Sequence, residues 1–412
     1  MGQTLAMEVQ LRSLAPDEYE DLARMQSNAF GFPYSAESVE TYKETIEPER
    51  SIGAFDQSAL VGTNAAYRFD LTVPGAILPC SGVTLVSVLP THRRGGIATG
   101  MMRFQLDAAR DWGEPIAALW ASEGGIYGRF GYGSAVKHCS WTLDRVHGGL
   151  REDISATGTV RFLSLEETKE IVPPLYDSIR EVRPGLISRS ETWWRLKSFA
   201  DPPERRGGGT EAFWVAYEEG GEVLGTARYR RRQRWTDWIP DGKTQVLSVL
   251  AKTPAAEAGL WKYLIGIDLV STIEANERPS DEPLYWMLKD ARRLQQRPSD
   301  SLWIRLTDVP GALASRRYSA PGSFVVEVVD EFCSWNSGRY RLEGGPAGAT
   351  CTATSESSNI TTSAEVLGAA FLGSSRLATL AAAGLVEGDE RSIRLADMMF
   401  SWMPRPWCHD FF

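Results

Sequence analysis

Residues 82–133 constrain this chain more than any other stretch. An apolar run, Val83 to Leu89, predicts a strand. It leads into Pro90–Gly96, a basic loop with paired glycines, and then into a helical pattern. Ile97, Met101, Phe104 and Ala108 recur at helical spacing, a stripe expected to pack on a sheet. Gly113 and Pro115 supply the stop, and Ile116–Trp120 predicts a second strand. This layout turns a helix N-terminus outward. Its first N–H groups have no intrahelical acceptor and carry the positive end of the helix dipole. Arg93, Arg94, Gly95 and Gly96 stand there, so the loop suits an anion, and glycine permits close backbone approach to a phosphate. An ordinary strand–helix turn is the plainer reading of the same residues.

The phosphate type narrows by elimination. A kinase-type loop needs a lysine after its glycines, and a dinucleotide fingerprint needs G-x-G-x-x-G; neither is here. Arg93-Arg94-Gly95-Gly96-Ile97-Ala98, followed by Thr99, resembles the R/Q-x-x-G-x-G/A loop of the GCN5-related N-acetyltransferases (GNATs), which cradles the pyrophosphate of coenzyme A. Val86, Ser87 and Val88 resemble the GNAT strand that pairs with the pantetheine arm. The run ASEGGIYGRFGYG, Ala121 to Gly133, and the aromatic C-terminus are similar to those of the Eis (enhanced intracellular survival) acetyltransferase family.

At 412 residues the chain predicts two or three domains. Residues 9–14 alternate like a strand, two helical patterns follow, and a hairpin turns at Asp56-Gln57-Ser58. With 82–133 this gives the GNAT order β-α-α-β-β-β-α-β-α-β, closed by Trp141–Asp144. The pattern then repeats. EAFWVAYEEGGEVLGTARYRRR, residues 211–232, echoes IGAFDQSALVGTNAAYR, residues 52–68, and Val246–Leu250 echoes Leu85–Leu89. A duplicated domain is the reading, with a chance hairpin match as the alternative. Where the first copy has Arg93–Gly96, the second has Pro254-Ala255-Ala256-Glu257-Ala258, so Glu257 is expected to bring negative charge where a pyrophosphate would sit. From about residue 300 short strands, beginning with Ser301–Leu306, precede alanine-rich helices. This resembles the sterol-carrier-protein-like module that ends Eis proteins; a generic α+β domain is the alternative.

The expected fold class is α/β and α+β: tandem GNAT-like domains of mixed sheets flanked by helices, then a sterol-carrier-protein-like α+β domain. The expected boundaries are 1–150 for a catalytic domain, 151–298 for a degenerate second one, and 299–412 for the third.

A hydrophobic share of 43% with 24% charged residues is that of an ordinary globular protein. The net charge of −9 argues against general nucleic-acid binding and is compatible with cationic substrates, or simply with solubility. Five scattered cysteines without C-x-x-C, and four histidines without ligand spacing, predict reduced thiols, no metal and a cytoplasmic address. No signal-peptide pattern and no apolar run of spanning length predict no membrane association.

The resemblance implies the chemistry. The co-substrate is acetyl-CoA, held by Val86, Ser87, Val88, Arg93, Arg94, Gly95, Gly96, Ile97, Ala98, Thr99, Ser122 and Glu123. Tyr127 is the general acid; a phenol of pKa about 10 is protonated at neutral pH. The carboxylate of Phe412 is the general base, weak at about 3.5 unless a dry site raises it. Tyr127 as a packing residue and the terminus as a loose tail are the plain alternatives. Phe30, Phe32 and Trp120 are expected to touch the acceptor, Trp120 standing where some family members have histidine. Acceptors are expected to be primary amines of aminoglycosides, polyamines or lysine side chains, and the assembly a homohexamer. A lipid-binding protein, or an acetyl-CoA sensor without turnover, is the alternative function.

Overall fold

The computed structural model describes residues 9–412. Two seven-stranded sheets and a five-stranded sheet carry the architecture, with a two-stranded hairpin beside them. The first domain runs β1 (Val9–Arg12), α1 (Tyr19–Phe30), α2 (Ala36–Thr45), β2 (Ser51–Asp56), β3 (Ala59–Val73), β4 (Ala76–Val88), α3 (Ile97–Asp111) and β5 (Ile116–Trp120), followed by β6 (Gly133–Ser134) and β7 (Lys137–Asp144). β1 to β4 form an antiparallel meander, and β5 joins β4 in parallel through the crossover helix α3.

The helix buries a different stripe from the one its pattern predicts. Ile97, Met101, Met102, Gln105, Leu106 and Ala109 face the sheet, while Phe104 is exposed. Both stripes satisfy a 3.6-residue period. Packing against Val83, Ala117 and Leu119 selects the one one step further round.

The second sheet repeats the first. Strands 159–162, 213–219, 222–232 and 242–251 lead through helix Pro254–Gly266 to the parallel strand Val270–Pro279. The two halves exchange strands. β7, expected to close the first domain, lies in the second sheet between 270–279 and 295–300. Leu302–Leu306, expected to open the third domain, pairs along β5 in the first sheet and then with β6. Cuts at 150 and 299 therefore run across this exchange. An alternating strand declares which face it buries, not which edge it joins.

The third domain has sheet order 348–353, 338–345, 322–329, 360–363, 386–388, with helices Ala364–Ala370 and Glu390–Phe400. Part of its contact with the first domain is backbone on backbone. A Cβ on Gly133 would stand 1.9 Å from the Glu365 carbonyl oxygen, and one on Gly368 2.2 Å from that of Ile304. Arg305 and Asp330 make a fully buried ion pair across the same seam. Among the described residues no helix is long and apolar enough to cross a membrane.

Candidate active site

The Arg93–Gly96 loop turns sharply into α3. Arg94 and Gly96 both take left-handed conformations, at φ 66° and 84°. Gly96 is the N-cap of α3, and no side chain caps that helix. The first-turn N–H groups of Ile97, Ala98 and Thr99 are therefore left without a side-chain acceptor. Arg93 is steadied by bonds from its guanidinium to the carbonyls of Val88 (3.2 Å) and Ala29 (3.4 Å), while Arg94 is exposed in the same loop.

Next to this loop the sheet forks. β4 and β5 pair only from Cys80–Gly82 to Ile116–Ala118, and no pairing follows beyond Gly82 and Ala118. Within the fork Leu85 sits at φ 53°, a bulge that breaks the register between β3 and β4. The Leu85 carbonyl is turned to Gln26 Nε2 (2.9 Å) and Thr63 Oγ1 (2.8 Å). No sequence signal marks this bulge, because a leucine at positive φ is held by its surroundings rather than by propensity.

A cavity of about 570 Å³ unites the loop and the fork. Of the residues expected at the site, Val86, Ser87, Val88, Arg93, Arg94, Gly96, Ile97, Ala98, Thr99, Ser122, Glu123, Tyr127 and Phe30 all line it. Gly95 lies in the loop without lining the cavity. Ala29, His92, Ile126 and Arg129 also line it and were not foreseen. The signal for His92 and Arg129 was position alone: one sits in the basic loop, the other in the glycine-aromatic run. Phe30 and Phe32 are half exposed and stacked 6.1 Å apart, with Phe32 outside the lining. Tyr127 is buried against Phe130 and Tyr132. Burial pushes its phenol above the usual value, with Glu123 adding and Ser122 opposing, so the hydroxyl stays protonated at neutral pH.

Trp120 and Phe412 lie elsewhere, on the opposite face of the sheet. Tyr127 packs with the α3-side residues Val83, Ala117 and Leu119, whereas Phe412 packs with Tyr67, Phe69 and Ala118. The Phe412 ring sits 5.0 Å from that of Phe69, and a Cβ on Gly82 would touch both rings. Trp120 lies outside the lining of that cavity; its Nε1 donates to the Asp410 carbonyl at 2.7 Å and its ring meets Phe411. The tail thus bridges the fork, with Phe412 against β4 and Asp410 held from the end of β5. No ion pair to the terminal carboxylate occurs among the described residues.

The tail is clamped rather than loose. The Asp410 carboxylate accepts from Arg189 Nη2 (3.0 Å), Tyr176 Oη (3.2 Å) and Trp193 Nε1 (3.2 Å). Trp407 is buried, its Nε1 donating to the Glu277 carbonyl and its backbone N–H to that of Pro184. Gly185, at φ 92°, passes so close that a Cβ would lie 2.6 Å from the Trp407 oxygen. The second domain contributes Tyr176, Arg189 and Trp193, none of which carried a sequence signal for this role.

The second copy of the anion site is closed by its own side chains. Thr253 caps helix Pro254–Gly266, its hydroxyl accepting from the Ala256 N–H at 3.1 Å, and Pro254 has no N–H to offer. Glu257 does not stand at the mouth as expected. It lies against the buried Glu282 and Arg278, where burial raises its carboxyl above the usual range. Among the described residues no group of three or more His, Cys, Asp or Glu side chains could hold a metal.

Comparison with known proteins agrees with this fold. Residues 10–135 and 185–306 each match an Acetyltransferase (GNAT) domain family, and residues 309–409 match a Sterol carrier protein domain family. An uncharacterized N-acetyltransferase of Streptomyces coelicolor is 39% identical, the match covering 97% of this chain and 99% of that one. The N-acetyltransferase Eis of Mycobacterium tuberculosis is 32% identical over 96% and 97%. The crystal structure of Eis1 from Mycobacterium abscessus superposes with a TM-score of 0.84 at 29% identity, covering 98% of this chain and all of that one. GNAT acetyltransferases use acetyl-CoA, and an uncapped helix N-terminus beside exposed arginines fits its pyrophosphate. The chain therefore belongs to the Eis family of GNAT N-acetyltransferases.

Proposed function

We propose that this enzyme transfers acetyl from acetyl-CoA to a primary amine at the β4–β5 fork, with Tyr127 as general acid and the Phe412 carboxylate as general base. The observation that carries the reading is the single cavity in which the uncapped start of α3, the forked strand Val86–Val88 and the buried Tyr127 converge. Acetyl-CoA supplies the activated acetyl group. The first-turn N–H groups of α3, with Arg93 and Arg94, hold anionic oxygens; backbone of Val86–Val88 orients the chain bound alongside it. Tyr127 keeps its proton and donates it to the departing thiolate. The terminal carboxylate, seated on the other face of the fork, takes the proton from the attacking amine. The Phe412 ring packs on Tyr67 and Phe69, which supports a held rather than a loose terminus in this role.

The test is coenzyme A thiol release with acetyl-CoA and a panel of aminoglycosides, polyamines and lysine peptides, the acceptors that kinship offers. Intact enzyme is compared with a form lacking Phe412, after both are shown to assemble alike. Deletion moves the terminal carboxylate back one residue, about 3.8 Å, which exceeds hydrogen-bond reach. The expected result is a loss of roughly 10²–10⁴ in kcat. Equal rates for the two forms would remove the terminal base. Light scattering of the same samples tests the homohexamer that kinship implies.

A further inference from the structure

A second cavity, of about 430 Å³, lies where the C-terminal tail meets the second domain. Its wall includes Phe411 and Asp410, so it begins one residue from the proposed base. Trp193 joins the two places: it lines this cavity and packs at 5.2 and 5.1 Å on Tyr67 and Phe69, the rings that seat Phe412. The floor is the second sheet, through Trp214, Arg228, Ser248 and Leu250. Ser248 and Leu250 belong to the strand that echoes the pantetheine strand of the first domain, now serving as a wall.

The charges here are mostly positive. Arg189, Lys197, Arg205 and Arg228 line the cavity, and Asp410 is the one carboxylate among its lining residues. Asp410 is committed to Arg189. Arg228 reaches Asp201 only at 3.8 Å, and that carboxylate also serves Arg230 and Arg206. The remaining Arg228 bonds go to the Ser198 and Ala200 carbonyls, and its Nε is buried without a partner. Among the described residues Lys197 has no acid within ion-pair distance; its ammonium stands 5.9 Å from the Trp193 ring. Burial, reinforced by Arg205, pushes Lys197 down to about 8, and burial brings Arg228 down to about 10. Lys197, a cation drawn largely out of water with no acid beside it, is costly unless an anion joins it.

We propose that this cavity binds an anionic group, a carboxylate or a phosphate, of the acceptor, so that the amine acetylated at the fork belongs to an amino acid-like or aminoalkyl phosphate molecule rather than to a polycation. The proposal rests on the transfer reading given above for its link to turnover, but not for the anion site itself. A polyamine or aminoglycoside would meet Lys197, Arg205 and Arg228 with like charge. The net charge of −9, which suggested cationic substrates, resides elsewhere on the molecule.

The experiment has two arms. In the first, acetyl transfer is measured with length-matched acceptors: 6-aminohexanoate, an aminoalkyl phosphate, hexylamine and 1,6-diaminohexane. The intact protein is expected to favour one of the two acids over the diamine by at least about tenfold in kcat/KM. Which acid wins separates carboxylate from phosphate. Lys197→Met, which strands no acid because Lys197 pairs with none, is expected to erase that preference through KM with kcat held. Arg205→Gln, on the exposed rim, should halve the effect. In the second arm, inorganic phosphate and 6-aminohexanoate are titrated by calorimetry into intact protein and into Lys197→Met. Binding weakened about tenfold by the substitution supports the anion site even if no acceptor turns over, an outcome that would defeat only the transfer reading. Preference for the diamine, or anion binding indifferent to Lys197→Met, would overturn the proposal while leaving acetyl transfer intact.

Discussion

Replacing Asp410 with alanine should disable the enzyme from a position that touches neither acetyl group nor amine. Its side chain is 7% exposed and that of its partner Arg189 6%. Removing one member of a buried pair leaves an uncompensated charge, a cost of about 3–5 kcal/mol. The indole N–H of Trp193 would also lose its acceptor, while the Tyr176 hydroxyl keeps the Ile187 carbonyl at 2.8 Å. Against this stands the burial of the Phe412 ring, which returns about 1.5–3 kcal/mol. The loss exceeds the return, so the cheapest response is release of the last residues, not unfolding of a domain. Two readouts follow. Carboxypeptidase should remove Phe412 from Asp410→Ala quickly, and mass spectrometry would record it. The kcat for thiol release should fall to the level of the enzyme lacking Phe412, while acetyl-CoA affinity holds, because the cofactor cavity lies on the other face of the sheet. Asp410→Asn keeps an acceptor for Tyr176 and Trp193 and loses only the charge, so it should fall between. A protected terminus and unchanged kcat in Asp410→Ala would refute both the clamp and the role assigned to the carboxylate it seats.

Other outcomes follow from the same geometry. Tyr127→Phe keeps the ring contacts with Phe130 and Tyr132 and removes the donor; kcat should drop by roughly 10²–10⁴ with acetyl-CoA affinity unchanged by calorimetry. Thr253→Ala removes the cap of the second domain's helix and should cost about 0.5–2 kcal/mol in denaturant titration, with no change in acetyl-CoA binding. Glu257 and Glu282 share a buried site in which Arg278 opposes burial, and burial wins, pushing Glu282 up to about 8. The folded protein then holds protons that the unfolded chain has released above about 4.3. Stability should therefore fall as pH rises from about 5 to about 8. Glu257→Gln should flatten that slope and raise the melting temperature above neutral pH; an unchanged slope would show that the pair does not titrate there.

Much of this molecule is legible from local pattern. Strand, loop and helix around Arg93–Gly96 follow from short-range rules, since glycine freedom, helix periodicity and uncapped N–H groups are properties of a few adjacent residues. The duplication is legible for the same reason: two copies of one pattern obey the same local rules, and the loss of the second anion site could be read from Pro254 and the missing arginines. What Glu257 does instead could not, because its neighbours Arg278 and Glu282 come from a distant strand and the turn after it.

Tertiary structure decided everything that depends on which surfaces meet. The face that α3 buries was settled by Val83, Ala117 and Leu119, not by its own spacing, which allowed Phe104 inside. In the 121–133 run, Gly131 and Gly133 let Arg305 and helix Ala364–Ala370 pack against the backbone, partners that come from far along the chain. The exchange of β7 for Leu302–Leu306 is invisible to pattern, because hydrogen bonding at a strand edge is the same for any partner. Most of all, a charge total of −9 says nothing of the sign inside one cavity. Lys197, Arg205 and Arg228 stand far from the tail in sequence, and only the fold sets them beside Phe411. Electrostatic fields are short-ranged in salt water and strong in dry cavities, so the local arrangement rather than the sum governs which acceptor can enter.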